Sequence, residues 1–122
     1  MAKAKQDQRR EQRIEQEIVV DAYDTEERAM GWYSYLEDQL HFPFPAKCSA
    51  PRAISPLRKG QEVQVVSLAP GEECEHEMFV MIPWGDGTLA VPLAQLEAIR
   101  ADKATRQAVE DWHYWVSRGY EF

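Results

Sequence analysis

The stretch formed by residues 70–93 constrains the fold of this chain more than any other. It contains four carboxylates within residues 72–77 and then becomes apolar at once over residues 78–84. This apolar run is too short for an ordinary globular helix and is rich in strand-forming residues, so we predict a strand. Glycines in residues 85–87 permit a tight turn, and residues 88–91 should return antiparallel. The sequence therefore predicts a buried hairpin with a negatively charged loop at its entrance.

The size and charge of the chain limit its function. Its 122 residues fit one domain with a real core, and its formal net charge is −7. Residues 1–17 hold five Lys/Arg against four Asp/Glu, which leaves −8 for the remainder. The negative charge of residues 18–122 repels nucleic acid and anionic membranes, while it attracts cations and basic partners. Without a long apolar run or a signal-like N-terminus, we expect a soluble cytoplasmic protein that binds neither nucleic acid nor membranes.

The N-terminal part of the chain divides into a tail and a helix. Residues 1–17 contain Ile14 as their one sizeable apolar group, so we expect a disordered tail or a frayed, solvent-exposed helix, followed by a single domain over residues 18–122. Asp24, with Glu27 three residues on, predicts the start of a helix that runs from Thr25 to about residue 40. The side chains that this helix should bury are Ala29, Trp32, Tyr33, Leu36 and Leu40.

The remaining elements predict an α+β fold. Residues 62–68 alternate polar with apolar and should form a strand, and together with the hairpin they give a three-strand meander closed by a short helical turn at residues 92–96. We therefore predict a small SH3-like antiparallel β-barrel or meander flanked by an N-terminal and a C-terminal α-helix, the latter over residues 103–117. The aromatic side chains of Tyr120 and Phe122 are expected to pack back on the core.

Acidic side chains are the strongest chemical signal in the sequence. Ca²⁺ is a hard cation that takes six to eight oxygen ligands, so carboxylates brought together with backbone carbonyls suit it. No EF-hand loop is present, and a calcium site would have to be assembled from separate segments. The alternative is an ordinary solvated acidic loop. The candidate ligands are Glu37, Asp38, Glu72, Glu73, Glu75 and Glu77.

Two further side-chain sets are weaker candidates. Cys74 and His76 could bind zinc, helped by Cys48, His41 or His113, but their spacing matches no common structural zinc pattern. We expect reduced thiols instead. Residues 111–115 could form an acid/base pair or an aromatic binding face, although tryptophans at helical spacing more often pack in a core. The sequence contains no nucleophile elbow, P-loop or dinucleotide fingerprint, so we do not expect an enzyme.

Seven segments point to a known family by their order along the chain. They are residues 18–24, 26–38, 42–44, 71–80, 88–93, 111–115 and 119–122. Together these segments resemble the CcbP family of calcium-binding proteins, known from filamentous cyanobacteria and other bacteria. The resemblance covers about residues 18–122 and omits the tail.

This resemblance implies a small acidic protein that binds Ca²⁺ without EF-hands and acts as a cytoplasmic buffer or sensor. It makes Asp38 the first choice of ligand, with Glu37 beside it, and the four glutamates of residues 72–77 second choices. A helical wheel places Asp38 away from the core, so another segment or the helix end would have to fold toward it. The alternative function is an SH3-like interaction module, in which Trp84 and the acidic loop bind a basic segment of a partner protein.

Overall fold

A computed structural model describes residues 7–20, 22 and 24–118, in which two helices are followed by six short strands and a third helix. These residues form three α-helices and two three-stranded antiparallel sheets, in agreement with the predicted α+β class. Within them, no helix is long and apolar enough to cross a membrane. Tyr120 and Phe122 lie outside the described residues. The elements are α1 (Gln8–Arg13), α2 (Thr25–Gln39), β1 (Phe44–Cys48), β2 (Glu62–Val65), β3 (Ser67–Leu68), β4 (Phe79–Trp84), β5 (Gly87–Pro92), β6 (Leu96–Ala98) and α3 (Lys103–Ser117).

The N-terminal segment differs from the predicted tail. Helix α1 continues directly as a π-helical segment, Ile14–Ile18, and the side chains of Ile14 and Ile18 are buried in the core. The hydroxyl of Tyr114 on α3 accepts a hydrogen bond from the backbone N–H of Asp7 and donates one to Glu11. In this structure residues 8–18 are therefore helical and contact α3, which lies about 100 residues further along the chain.

Helix α2 forms as the sequence predicts. The side chain of Asp24 accepts a hydrogen bond from the backbone N–H of Glu27 at 2.8 Å and so caps the first turn. Trp32 and Leu36 are fully buried. The ring of Trp32 packs edge-on against Trp112 of α3, with the ring centroids 5.1 Å apart. These contacts fix α2 against α3.

The predicted hairpin is present, but the barrel is not confirmed. Strands β4 and β5 pair from Phe79↔Pro92 to Trp84↔Gly87, and Gly85 takes a positive φ of 58° in the turn. The predicted strand over residues 62–68 is interrupted at Val66, so β2 pairs with β1 in one sheet and β3 with β4 in the other. The described strands therefore form two separate sheets, β2-β1-β6 and β3-β4-β5, and no closed barrel.

Helix α3 begins at a second aspartate cap. The side chain of Asp102 accepts a hydrogen bond from the backbone N–H of Thr105 at 2.7 Å, and its other oxygen lies 2.5 Å from Nδ1 of His41. The backbone N–H of Thr105 favours the charged carboxylate most, and His41 adds to this, so the pKa of Asp102 falls to about 2. This cap also ties the start of α3 to the end of α2.

Candidate metal centre

The acidic turn of the chain does not gather its four predicted ligands at one point. The Gly71–Cys74 segment forms a single 3-10 turn, and its glutamates Glu72 and Glu73 are exposed. Glu77 is paired with Arg52, at 2.5 Å from its Nη1 atom. Within the described ranges, no group of three or more His, Cys, Asp or Glu side chains is close enough to hold a metal ion. From the described residues, a calcium site in this conformation would therefore draw on fewer than three of these side chains and on neutral oxygens.

Asp38 and Glu37 lie in the last two turns of α2, where both side chains are exposed. The carboxylate of Asp38 accepts a hydrogen bond from the amide of the neighbouring Gln39 at 2.9 Å. Burial raises the pKa of Tyr33, and the charges of Cys74 and Glu37 contribute to this. Glu37 therefore lies within electrostatic range of Tyr33, one turn earlier on α2.

A cleft of about 510 Å³ brings Asp38 together with a second carboxylate, Glu17. Glu17 belongs to the π-helical segment that follows α1, so the two acids come from separate elements. The segment folds over α2 on the side where Asp38 lies, which supplies the second element that the helical wheel required. We call this the helix-junction cleft, and it is lined by Arg13, Glu17, Ile18, Gly31, Ser34, Tyr35, Asp38, Gln39 and Gln107.

Gly31 allows the π-helical segment to lie this close to α2. A Cβ atom at position 31 would lie 2.2 Å from the backbone carbonyl oxygen of Ile18, which is far inside van der Waals contact. Only a residue without a side chain fits this approach. The glycine is therefore what permits Glu17 and Asp38 to line one cleft.

Arg13, the cation in the cleft, is already neutralised. Its guanidinium donates hydrogen bonds to both carboxylate oxygens of Asp111, at 2.6 and 3.1 Å, and the Asp111 side chain is fully buried. The hydroxyl of Tyr35 donates a third hydrogen bond to Asp111 at 2.7 Å. Burial, followed by these interactions with Asp111, raises the pKa of Tyr35 to about 12. The network anchors the N-terminal helix to both α2 and α3.

The donor set of the helix-junction cleft suits a hard cation. It offers two carboxylates, the side-chain amide oxygens of Gln39 and Gln107, and the hydroxyl of Ser34, with neither cysteine nor histidine among its lining residues. Ca²⁺ prefers such oxygen ligands and accepts water for the remaining positions. The residues present therefore fit Ca²⁺ better than zinc. Glu17 was missed from the sequence because its segment was assigned to the tail.

Glu72 and Glu75 line a different cleft, of about 580 Å³, between the N-terminal half of α2 and the turn at residues 71–74. We call this the acidic cleft. Glu26, in the first turn of α2, lines the same cleft. The full lining is Thr25, Glu26, Ala29, Met30, Tyr33, Ser34, Gly71, Glu72, Cys74, Glu75 and His76.

The zinc candidates are not assembled into a site. Cys74 is buried, its sulfur accepts a hydrogen bond from the backbone N–H of Phe79, and burial raises the pKa of its thiol. Cys48 is buried beside Gln95, and His41 pairs with Asp102. Both cysteines are free thiols, as the sequence predicts.

The aromatic candidates of residues 111–115 are part of the core. Trp112 and Trp115 pack against Trp32, and the ring of His113 is hydrogen-bonded to the backbone carbonyl of Leu96. Asp111 is held by Arg13 and is fully buried. These side chains therefore serve to join α2, α3 and the N-terminal helix.

Comparison with known proteins points to one family. The chain matches the model of the CcbP calcium-binding family, described as calcium binding, over residues 12–116. The crystal structure of Anabaena CcbP is similar to this fold with a TM-score of 0.87 and 45% sequence identity. A structure of a calcium-binding protein in its calcium-binding form gives a TM-score of 0.85 at 43% identity. Both comparisons cover 100% of each chain. Among curated proteins, no sequence gives a significant match.

Proposed function

The chain belongs to the CcbP family of calcium-binding proteins, and from this premise we propose that it binds Ca²⁺ in the helix-junction cleft. The observation that carries the choice of cleft is that Glu17 and Asp38, from two separate elements, line it together. In this proposal the protein is a cytoplasmic calcium buffer or sensor that uses no EF-hand. The family is not a family of enzymes, and it favours calcium binding over the interaction module as the main function.

The two carboxylates supply the charge that a divalent cation needs. Each can coordinate through one or two oxygens, the amides of Gln39 and Gln107 and the hydroxyl of Ser34 add neutral donors, and water completes the shell. Arg13 does not oppose the ion with a full charge, because Asp111 is paired with it. Glu37 does not line this cleft, and its role as a ligand stays a prediction.

The site depends on the docking of the N-terminal helix. Glu17 reaches the cleft only when the π-helical segment lies against α2, so an ion that bridges Glu17 and Asp38 binds the docked form preferentially. Any ligand that binds one of two states more tightly shifts the population toward that state. Calcium should therefore stabilise the docked segment, which is the response that distinguishes a sensor from a passive buffer.

Calorimetric titration of Ca²⁺ tests the proposal. We expect Asp38→Asn and Glu17→Gln each to weaken binding by at least about ten-fold, which corresponds to about 1.4 kcal/mol per carboxylate. The matched control is Glu15→Gln, since Glu15 is an exposed glutamate of the same segment that does not line the cleft. Unchanged heat and stoichiometry in Asp38→Asn would exclude this cleft.

Calorimetric titration also tests whether the acidic turn, residues 71–77, binds Ca²⁺. Whether Glu72, Glu73, Glu75 and Glu77 bind Ca²⁺ stays a prediction, and the pairing of Glu77 with Arg52 weighs against its role. A combined Glu73→Gln and Glu77→Gln variant should retain the affinity and the stoichiometry of the parent protein. If this combined variant binds one Ca²⁺ fewer per chain than the parent protein, the calcium site lies in this turn.

A further inference from the structure

The acidic cleft has an apolar floor beneath a polar rim. Its floor is formed by Ala29 and Tyr33 of α2 and by the buried Cys74 of the facing turn, and Met30 lines the cleft beside them. The cleft holds about 580 Å³, which is enough for a large side chain of a bound segment together with part of its backbone. Concave sites with apolar floors and a few polar groups at the rim are typical of ligand recognition.

Met30 is the exposed apolar residue of this cleft. It is 64% exposed, although the neighbouring Ala29 is buried. Methionine is flexible and polarizable, and it recurs at surfaces that bind apolar side chains of partner proteins. Leaving it in water costs free energy that a partner could recover by covering it.

The lining of the cleft carries three carboxylates and, besides His76, no side chain that can become positively charged. Glu26, Glu72 and Glu75 line it, no lysine or arginine is among its lining residues, and no ion pair engages these three glutamates within the part of the chain that is described. Negative groups around an apolar floor complement a segment with the opposite pattern.

We propose that the acidic cleft docks a segment of another protein that carries an apolar side chain flanked by lysine or arginine residues. The apolar side chain covers Met30 and Tyr33, and the flanking cations face Glu26, Glu72 and Glu75. Calcium is a poorer occupant, because the floor offers carbon and sulfur where a hard cation needs oxygen. The proposal is independent of the calcium site, which lies in the other cleft.

Chemical-shift titration of the isotope-labelled protein with synthetic peptides tests this proposal. The probe is the hexapeptide KRLLRK, and its matched controls are KRSSRK, which lacks the apolar centre, and EELLEE, which reverses the charge. The titrations are run first in chelator and then in Ca²⁺. We expect KRLLRK to shift the resonances of residues 26–34 and 71–76, and both controls to bind at least about ten-fold more weakly.

Variants of the protein then assign the contacts. Met30→Gln, and the combined change Glu72→Gln with Glu75→Gln, should each weaken KRLLRK binding by about ten-fold. The control variants are Ile54→Gln, which removes a 69% exposed apolar side chain elsewhere, and Glu97→Gln, which removes an exposed charge elsewhere; both should bind as the parent does.

Three outcomes would overturn the proposal. Equal binding of KRSSRK and KRLLRK would show a purely electrostatic surface. Loss of one equivalent of Ca²⁺ in the Glu72→Gln and Glu75→Gln variant would assign the cleft to the ion. If KRLLRK does not bind, and the protein forms a dimer that Met30→Gln abolishes, the acidic cleft binds a second copy of this chain instead.

Discussion

Arg13 and Asp111 form an ion pair across 98 positions of sequence, with their closest atoms 2.6 Å apart. The Asp111 side chain is fully buried, and that of Arg13 is 24% exposed. Arg10 adds a second guanidinium at 3.4 Å from the same carboxylate. The pair attaches the N-terminal helix to α3, and with it the segment that carries Glu17.

Removing the buried carboxylate should destabilise the protein strongly. Asp111→Asn leaves Arg13 and Arg10 beside a neutral group, and breaking a buried pair in this way typically costs about 3–5 kcal/mol. Urea denaturation measures the free energy of unfolding. The control is Glu110→Gln, because Glu110 is exposed and its contact with Arg10 is 3.5 Å, so its loss should cost less than about 1 kcal/mol. Equal stability of the two variants would contradict a structural role for the pair.

Calcium should slow amide hydrogen exchange in residues 8–18. The reason is that an ion held between Glu17 and Asp38 binds only the docked segment, so local opening of that segment becomes rarer. Exchange is measured with and without Ca²⁺, using the amides of β4 as an internal reference. The effect should vanish in Asp38→Asn. Calcium binding by calorimetry without any change in exchange would favour a rigid buffer site.

Gly31→Ala should destabilise the protein, opposite to the usual effect of this change in a helix. In a helix interior alanine is normally favoured over glycine by about 0.5–1 kcal/mol. Here the new Cβ would collide with the carbonyl oxygen of Ile18, and overpacking of this kind costs about 1–3 kcal/mol. The melting temperature and the affinity for Ca²⁺ should both fall. Gly87→Ala is the control, since a Cβ there meets no atom within 4 Å. A rise in stability would show that the segment is not held against α2.

The stabilising effect of Asp102 should depend on pH in the acid range. Its pKa is lowered from 3.8 to about 2 in the folded protein, mainly by the backbone N–H of Thr105 and further by His41. A lowered carboxyl pKa stabilises the fold above pH 4, and this stabilisation is lost as the pH falls toward 2. Asp102→Asn keeps a capping side chain but cannot ionise.

The measurement is the melting temperature of the parent and of Asp102→Asn across this range. The difference should be largest above pH 4 and should disappear near pH 2. His41→Gln removes the second cause of the pKa shift and should reduce the difference only in part. A constant difference at every pH would mean that the charge of Asp102 contributes nothing.

Local signals in the sequence predict the helices and the hairpin well. Asp24 and the spacing of Trp32 and Leu36 specify α2, and the glycines after Trp84 specify the turn, because each signal acts within a few residues. Helix α1 could not be predicted in the same way. Its stability comes from Tyr114 and Asp111, which are distant in sequence.

The sequence likewise predicted only part of the candidate site. The resemblance pointed to Asp38, but the second acid of its cleft, Glu17, depends on a tertiary contact that no local pattern encodes. Glu72 and Glu75, which are close in sequence, line the same cleft, whereas Glu77 forms an ion pair with Arg52. The split of the predicted strand at Val66 likewise reflects pairing with two different sheets, which alternation of polar and apolar residues cannot distinguish.

Ser34 of α2 lines both the helix-junction cleft and the acidic cleft, so this one helix separates the two clefts. Two positive charges bound on one side of α2 make the electrostatic potential on the other side less negative, an effect that physiological salt screens over about 8 Å. Ca²⁺ bound in the helix-junction cleft should therefore weaken the binding of a cationic segment in the acidic cleft.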